Sequence, residues 1–277
     1  MQRTTVSRAL LLGVVIGICL FLPLVAAETA EEWNERGLEY GLLGDYENAL
    51  ACFNTAIELD PAYAPAYYHR GITYGNVQQY ERALEDLTTA IGLDPEYGEA
   101  YYNRGLVYDS LNQYEQAIDD FTAVIALYPT YAEAYYHRGN AYGNLQQYER
   151  AIEDFTTAIG LDPEYGEAYY NRGLAYKATA QYEPAIDDFT AVIALYPAYG
   201  EAYYHRGLAY EALEQYEQAI ADFDRAIERD PTLSEAYTAR ERARTNQEAQ
   251  KKLGDAGFEL LLALAGLLAV AVFRVRN

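Results

Sequence analysis

The chain of 277 residues carries 42 Asp and Glu against 20 Lys and Arg, a net charge of −22. A surface this acidic repels phosphate backbones and anionic headgroups, which excludes nucleic acid as the expected partner. Of the two cysteines, Cys19 lies in a segment expected to be removed. Cys52 is then the one thiol left, too few for an intramolecular disulfide, a CxxC motif or a thiolate metal cluster.

Residues 1–27 open with Arg3 and Arg8, continue through the apolar run Ala9–Leu22 and close on Val25-Ala26-Ala27. A positive start, an apolar middle and small residues before a polar stretch predict a secretory signal peptide cleaved after Ala27. The other reading of the same stretch is an uncleaved membrane anchor.

Beyond it the sequence repeats every 34 residues. Gly37, Gly71, Gly105, Gly139, Gly173 and Gly207 keep that spacing, as do Tyr46, Tyr80, Tyr114, Tyr148, Tyr182 and Tyr216, and Pro61, Pro95, Pro129, Pro163, Pro197 and Pro231. Fixed-period self-similarity of this length predicts a repeat array, which grows by addition and has no single central core. Each unit holds two helical stripes. In the third, Tyr101, Arg104, Gly105 and Tyr108 form the first, and Ala117, Phe121 and Val124 the second, after a turn at Asn112-Gln113. Pro129 ends the second helix, and Pro184 falls in the first turn of another, where its missing N–H costs little. Gly105 and Ala117 are small where the two helices cross.

The order of a large aromatic, Gly, Tyr, Ala, Phe, Ala and Pro is met by Trp33, Gly37, Tyr40, Ala49, Phe53, Ala56 and Pro61. This pattern resembles the tetratricopeptide repeat family, in six consecutive copies: 30–63, 64–97, 98–131, 132–165, 166–199 and 200–233. The resemblance implies an all-α fold, a right-handed solenoid of antiparallel helix pairs. One departure is regular: the family's leucine before the Gly is Arg36, Arg70, Arg104, Arg138, Arg172 or Arg206. A cation inside an apolar stripe needs a counter-charge, and Asp86, Asp120, Asp154, Asp188 and Asp222 on the second helices are the expected partners. His69, His137 and His205 alternate with Asn103 and Asn171, a 68-residue composite repeat that points to duplication of a two-repeat unit.

After Pro231, residues 234–253 begin like a seventh first helix and then turn polar, as a helix capping the last repeat should. Residues 254–277 form the expected hydrophobic tail. Leu260–Phe273 is uncharged, and Arg274 and Arg276 follow. It reads as a C-terminal membrane anchor, which with basic residues at both chain ends predicts an exported repeat array on the outer face of a membrane. The same tail, from Ala256-Gly257-Phe258 onward, also resembles the PGF-type sorting signals of archaeal surface proteins, which are processed to a lipid anchor. Ala256 stands where that family has proline, and no Thr- or Pro-rich spacer precedes it.

No GxGxxG, Walker, HExxH, GxSxG or EF-hand spacing occurs, so neither catalysis nor a cofactor is expected. The three histidines, four helices apart at ~10 Å spacing, lie too far from one another to share a metal. Asp119-Asp120 and Asp187-Asp188 diverge by about 100° on a helix and form no carboxylate dyad. The family resemblance places Tyr68, Tyr102, Tyr136, Tyr170 and Tyr204 on the concave groove. His69, Asn103, His137, Asn171 and His205 stand beside them, with Ile72, Leu106, Asn140, Leu174 and Leu208 one turn on. Tyrosine offers amphipathic contact area at low entropy cost, which suits an extended peptide or a short helix; packing between repeats is the competing use of the same residues. Some family members grip a terminal carboxylate with lysines and asparagines. Here the lysine positions hold Tyr68, Tyr102 and Tyr136, or Glu99, Glu133, Glu167 and Glu201, so the expected partner is a neutral or basic protein segment. Self-association is the alternative.

Overall fold

The computed structural model describes residues 28–276, with side chains through Ala256, so the expected signal peptide at 1–27 lies outside the described residues. Thirteen helices and no strand occur among the described residues. The chain divides into two compact units between Leu93 and Asp94.

The first unit holds α1 (Ala30–Leu42), α2 (Tyr46–Leu59), α3 (Ala64–Asn76) and α4 (Tyr80–Leu93). Thr29 opens α1 with a capping box: its hydroxyl accepts from Glu32 N at 3.2 Å, and Glu32 Oε2 accepts from Thr29 N at 2.8 Å. Two orphan donors are satisfied reciprocally. The second unit holds α5 (Gly98–Ser110), α6 (Tyr114–Leu127), α7 (Ala132–Asn144), α8 (Tyr148–Leu161), α9 (Gly166–Ala178), α10 (Tyr182–Leu195), α11 (Gly200–Ala212), α12 (Tyr216–Arg229) and α13 (Ser234–Arg276). Within each unit a first helix packs on its own second helix, on the second helix before it and on the first helix of the next repeat, so the first helices make one continuous wall.

Three devices recur along the repeats, the first two with the 34-residue period. A Cβ on Gly105, Gly139, Gly173 or Gly207 would come within 2.8, 2.8, 2.9 and 2.7 Å of Cε1 of Phe121, Phe155, Phe189 and Phe223. Each of those rings is buried. Glycine there brings the second helix's phenylalanine against the first helix backbone. Between paired helices the chain takes a left-handed residue, Gly44 at φ 75°, then Gln78, Asn112, Gln146, Ala180 and Glu214 at φ 57–60°. Between repeats, the tyrosine hydroxyl one turn into the next helix donates to the proline carbonyl, as in Tyr135 to Pro129 at 3.2 Å and Tyr203 to Pro197 at 3.4 Å.

A fourth device is the expected ion pair. Arg138 clasps Asp154 through Nε at 2.8 Å and Nη2 at 2.7 Å, and its Nη1 donates to Thr122 Oγ1 of the preceding repeat at 3.0 Å. Arg172 and Arg206 repeat the arrangement with Asp188 and Thr156, and Asp222 and Thr190. Arg70 does so with Asp86 and Asn54, and Arg104 pairs with Asp120. Arg36 differs because Cys52 occupies the acid's place, and it turns to Glu28 at 2.7 Å. One arginine thus binds its own second helix and the previous one.

Helix α13 covers the last repeat with Ala236, Ala239 and Ala243, all buried, against Phe223 and Ala226. It then runs on to Arg276 without a break at 253, since Gly254 alone does not end a helix and no proline follows. Among the described residues no helix is long and apolar enough to cross a membrane.

Candidate functional site

Of the expected groove residues, those of the second unit converge on the wall of first helices. In α5, α7 and α9 the tyrosine of the first helix meets a second tyrosine that precedes the next first helix. Tyr102 lies 5.3 Å from Tyr131, Tyr136 4.8 Å from Tyr165, and Tyr170 5.3 Å from Tyr199, centroid to centroid. Such offset and edge-on pairs hold each ring in place. Glu201 ties one pair down, since Oε2 accepts from Tyr170 OH at 3.1 Å and Tyr199 OH at 2.8 Å. Burial first, and the neighbouring Tyr199 second, push the Tyr170 phenol above its ordinary range, so it remains a hydrogen-bond donor.

A cavity of about 700 Å³ opens here, lined by Tyr136, Glu167, Tyr170, Asn171, Tyr196 and Tyr199 among others. Gly166 shapes it: a Cβ there would overlap the Tyr196 ring, so glycine lets that ring lie against the start of α9. Asn171 sits at its inner edge, where its Nδ2 donates to Asn140 Oδ1 at 2.8 Å and to Tyr136 OH at 3.2 Å. A second cavity of about 460 Å³ shares Asn171 and is lined also by Asp109, Asn140, Asn144, Tyr148 and Leu174. Tyr102 and Leu106 pack on the Phe121 cluster, Tyr170 and Leu174 on the Phe189 cluster, and Tyr204 and Leu208 on the Phe223 cluster. These side chains are therefore half core and half surface.

The histidines serve packing. His137 stacks on Phe121 at 5.6 Å and 25°, and His205 on Phe189 at 5.8 Å and 24°. Burial lowers the imidazole pKa of both to about 4. His205 Nδ1 accepts from Lys177 Nζ at 2.8 Å. In the first unit His69 repeats the stack, on Phe53 at 5.9 Å, and bonds Asn34 Oδ1 at 2.9 Å; its ring lies against Tyr68. Asn103 donates to Glu99 O at 2.8 Å. No group of three His, Cys, Asp or Glu that could hold a metal occurs among the described residues. Sequence reasoning does not reach Tyr131, Tyr165, Tyr199 and Asp109 as site residues, whereas Glu201 is one of the glutamates it sets along the groove. The sole advance signal is that Asp109 interrupts the glycines Gly41, Gly75 and Gly143 at its repeat position.

Models described as tetratricopeptide repeat match residues 98–131, 132–165, 166–199 and 200–233, and one described as TPR repeat matches 37–78 and 77–111. Together they run from residue 37 to 233. The chain belongs to the tetratricopeptide repeat family. Among solved structures it is similar to YrrB, described as a TPR protein with an unusual peptide-binding site. That likeness has 28% identity and a TM-score of 0.63, covering 68% of this chain and 97% of that one. A MamA structure from Desulfovibrio magneticus RS-1 is 28% identical with a TM-score of 0.57, over 60% and 94% of the two chains. A tetratricopeptide repeat protein from Parabacteroides merdae shares the fold at 22% identity and a TM-score of 0.63, over 80% and 88%. No curated protein matches the chain.

Proposed function

We propose that this tetratricopeptide repeat chain is a non-catalytic scaffold whose wall of first helices captures a neutral or basic segment of another protein. The observation that carries the reading is the 700 Å³ cavity, where four tyrosines are presented beside an amide. Packing and Glu201 already hold the Tyr170 pair in place, so binding loses little side-chain freedom. Glu167 on the cavity wall and Glu201 at its edge oppose a carboxylate and favour a cation. YrrB, a relative over two thirds of this chain, is described by its peptide-binding site, in keeping with this use of the surface. None of the relatives named above is described as an enzyme.

The proposal extends to location: an exported protein held at the outer face of a membrane by residues 254–277, retained as a helix or processed. The intact mass of the membrane-extracted protein tests this, since loss of the last ~20 residues contradicts a retained tail. For the binding face, cross-linking in native membranes should compare the wild type with Tyr136→Ala and Tyr170→Ala, each checked for folding by circular dichroism. A partner captured by the wild type and lost from both variants supports the face; the same partners throughout contradict it.

A second reading, self-association, draws on Leu42 and Leu43 at the end of α1, which are 89% and 81% exposed. Paired leucines left in water favour burial against another copy. Sedimentation that shows concentration-dependent oligomers, abolished by Leu42→Ser with Leu43→Ser, would support it.

A further inference from the structure

The second cavity carries a feature that packing does not explain. Among the described residues, Asp109 Oδ1 is the one buried side-chain oxygen or nitrogen without a hydrogen-bond partner. Its position compounds the cost. Asp109 stands in the last turn of α5, where the helix's own carbonyls already concentrate negative potential. Burial pushes its carboxyl above the usual range, so the site disfavours the charge that a counter-ion would stabilise.

The surroundings differ from those of every buried acid nearby. Asp120, Asp154, Asp188 and Asp222 each have an arginine clasped at 2.7–2.9 Å. Two later residues at the Asp109 repeat position are charged and answered: Lys177 donates to His205, and Glu211 accepts from Arg242 Nε at 2.7 Å. Asp109 faces Asn140, Asn144 and Asn171 around about 460 Å³, and the repeat position opposite it is Gly143. A Cβ on Gly143 would meet nothing within 4 Å, so that wall leaves room for a side chain from outside.

We propose that this cavity is the seat of one arginine side chain of the bound segment, its guanidinium paired with the Asp109 carboxylate and flanked by the asparagine amides. Five donors in a planar fork suit a carboxylate ringed by amide oxygens better than a point charge does. The inference rests on the reading that this wall binds a protein segment, and adds to it the residue that the segment must carry.

The test uses the full chain and two fluorescein-labelled nonapeptide pools, neutral at every degenerate position. The central residue is arginine in one pool and citrulline, its uncharged near-isostere, in the other. Fluorescence anisotropy should show the arginine pool binding the wild type roughly tenfold tighter or more. Asp109→Asn should erase the difference by weakening the arginine pool far more than the citrulline pool. Asp119→Asn, which removes the same charge from an exposed site, should leave the preference intact. Gly143→Leu fills the cavity without touching the carboxylate and should also erase the preference, which keeps the test independent of how well Asp109→Asn folds. Equal binding of both pools to the wild type overturns the arginine seat and leaves the binding wall standing. A preference that survives Asp109→Asn also overturns the seat, by assigning it to overall acidity. Failure of both pools to bind any of the proteins overturns the wall itself, and the seat with it.

Discussion

Replacing Arg138 with methionine tests what joins the repeats. The guanidinium holds Asp154 with two bonds at 2.8 and 2.7 Å, reaches Thr122 of the preceding repeat at 3.0 Å, and lies 5.7 and 6.0 Å from the Tyr135 and Tyr142 ring centroids. The side chains of the pair are only 18% and 7% exposed. Methionine keeps the stem's packing but strands a buried carboxylate, and breaking such a pair costs about 3–5 kcal/mol. The arginine's residual exposure argues for the lower end, ~3 kcal/mol. In an array of this size each kcal/mol moves the melting temperature by about 2–4 °C, so a fall of roughly 6–12 °C is expected. Adding Asp154→Leu should recover most of it, because two apolar groups leave nothing unpaired. As a control, Arg244→Met breaks an exposed pair with Glu241 and should cost less than about 1 kcal/mol. Differential scanning calorimetry measures the melting shifts, and amide exchange should show the loss concentrated in α7 and α8. A single variant melting within about 1 °C of wild type, or a double variant no better than the single, would refute the argument.

Three further outcomes follow from the geometry. Gly139→Ala drives a Cβ to within 2.8 Å of the Phe155 ring and should destabilise by about 1–3 kcal/mol, whereas Gly143→Ala, one turn on with open space, should stabilise by about 0.5–1 kcal/mol; urea titration compares them. Ala180→Gly relieves a left-handed alanine at φ 57° and should raise stability by about 1 kcal/mol in the same assay. The buried histidines give a pH signature. With a pKa near 4 folded and 6.5 in the ordinary state, His137 is protonated more readily in the unfolded chain across that window. Stability should therefore fall as pH drops from 6.5 toward 4, and His137→Phe should flatten that fall; an identical pH profile in the variant contradicts it.

The period carries most of the fold. Gly98, Ala132, Gly166 and Gly200 begin first helices 34 residues apart, as the repeat boundaries require. The Arg138–Asp154 type of pair is legible because a cation in an apolar stripe has few places to go, and an acid recurs 16 residues on. The site is less legible for a physical reason. Tyr136 can be assigned to the inner wall, but its ring contact with Tyr165 depends on where the next repeat places its helix start. The histidines give the opposite lesson: the family resemblance sets each beside a groove tyrosine, and each ring also lies on the phenylalanine of the preceding second helix. The 43-residue span of α13 is hard to read as one helix because its change of polarity resembles a boundary, although helix hydrogen bonding is indifferent to polarity until a proline or a satisfied cap intervenes.

A nearly periodic surface has a difficulty that the deviations answer. Tyr102–Tyr131 and Tyr170–Tyr199, 68 residues apart, present the same steeply inclined ring pair, so a segment that recognised tyrosine alone could bind in either register with similar energy. Discrimination has to come from positions that break the repeat, because specificity is a difference between competing arrangements. The second residue after Val107, Ala141, Ala175 and Ala209 is such a position, occupied in turn by Asp109, Gly143, Lys177 and Glu211. Lys177 and Glu211 are already answered by His205 and Arg242 within the fold. Asp109 keeps one carboxyl oxygen unpaired beside a glycine-walled cavity, at one end of the tyrosine series of the second unit. A single arginine seated there would fix both the register and the direction of a bound segment, with the repeated tyrosines supplying contact area that is indifferent to either.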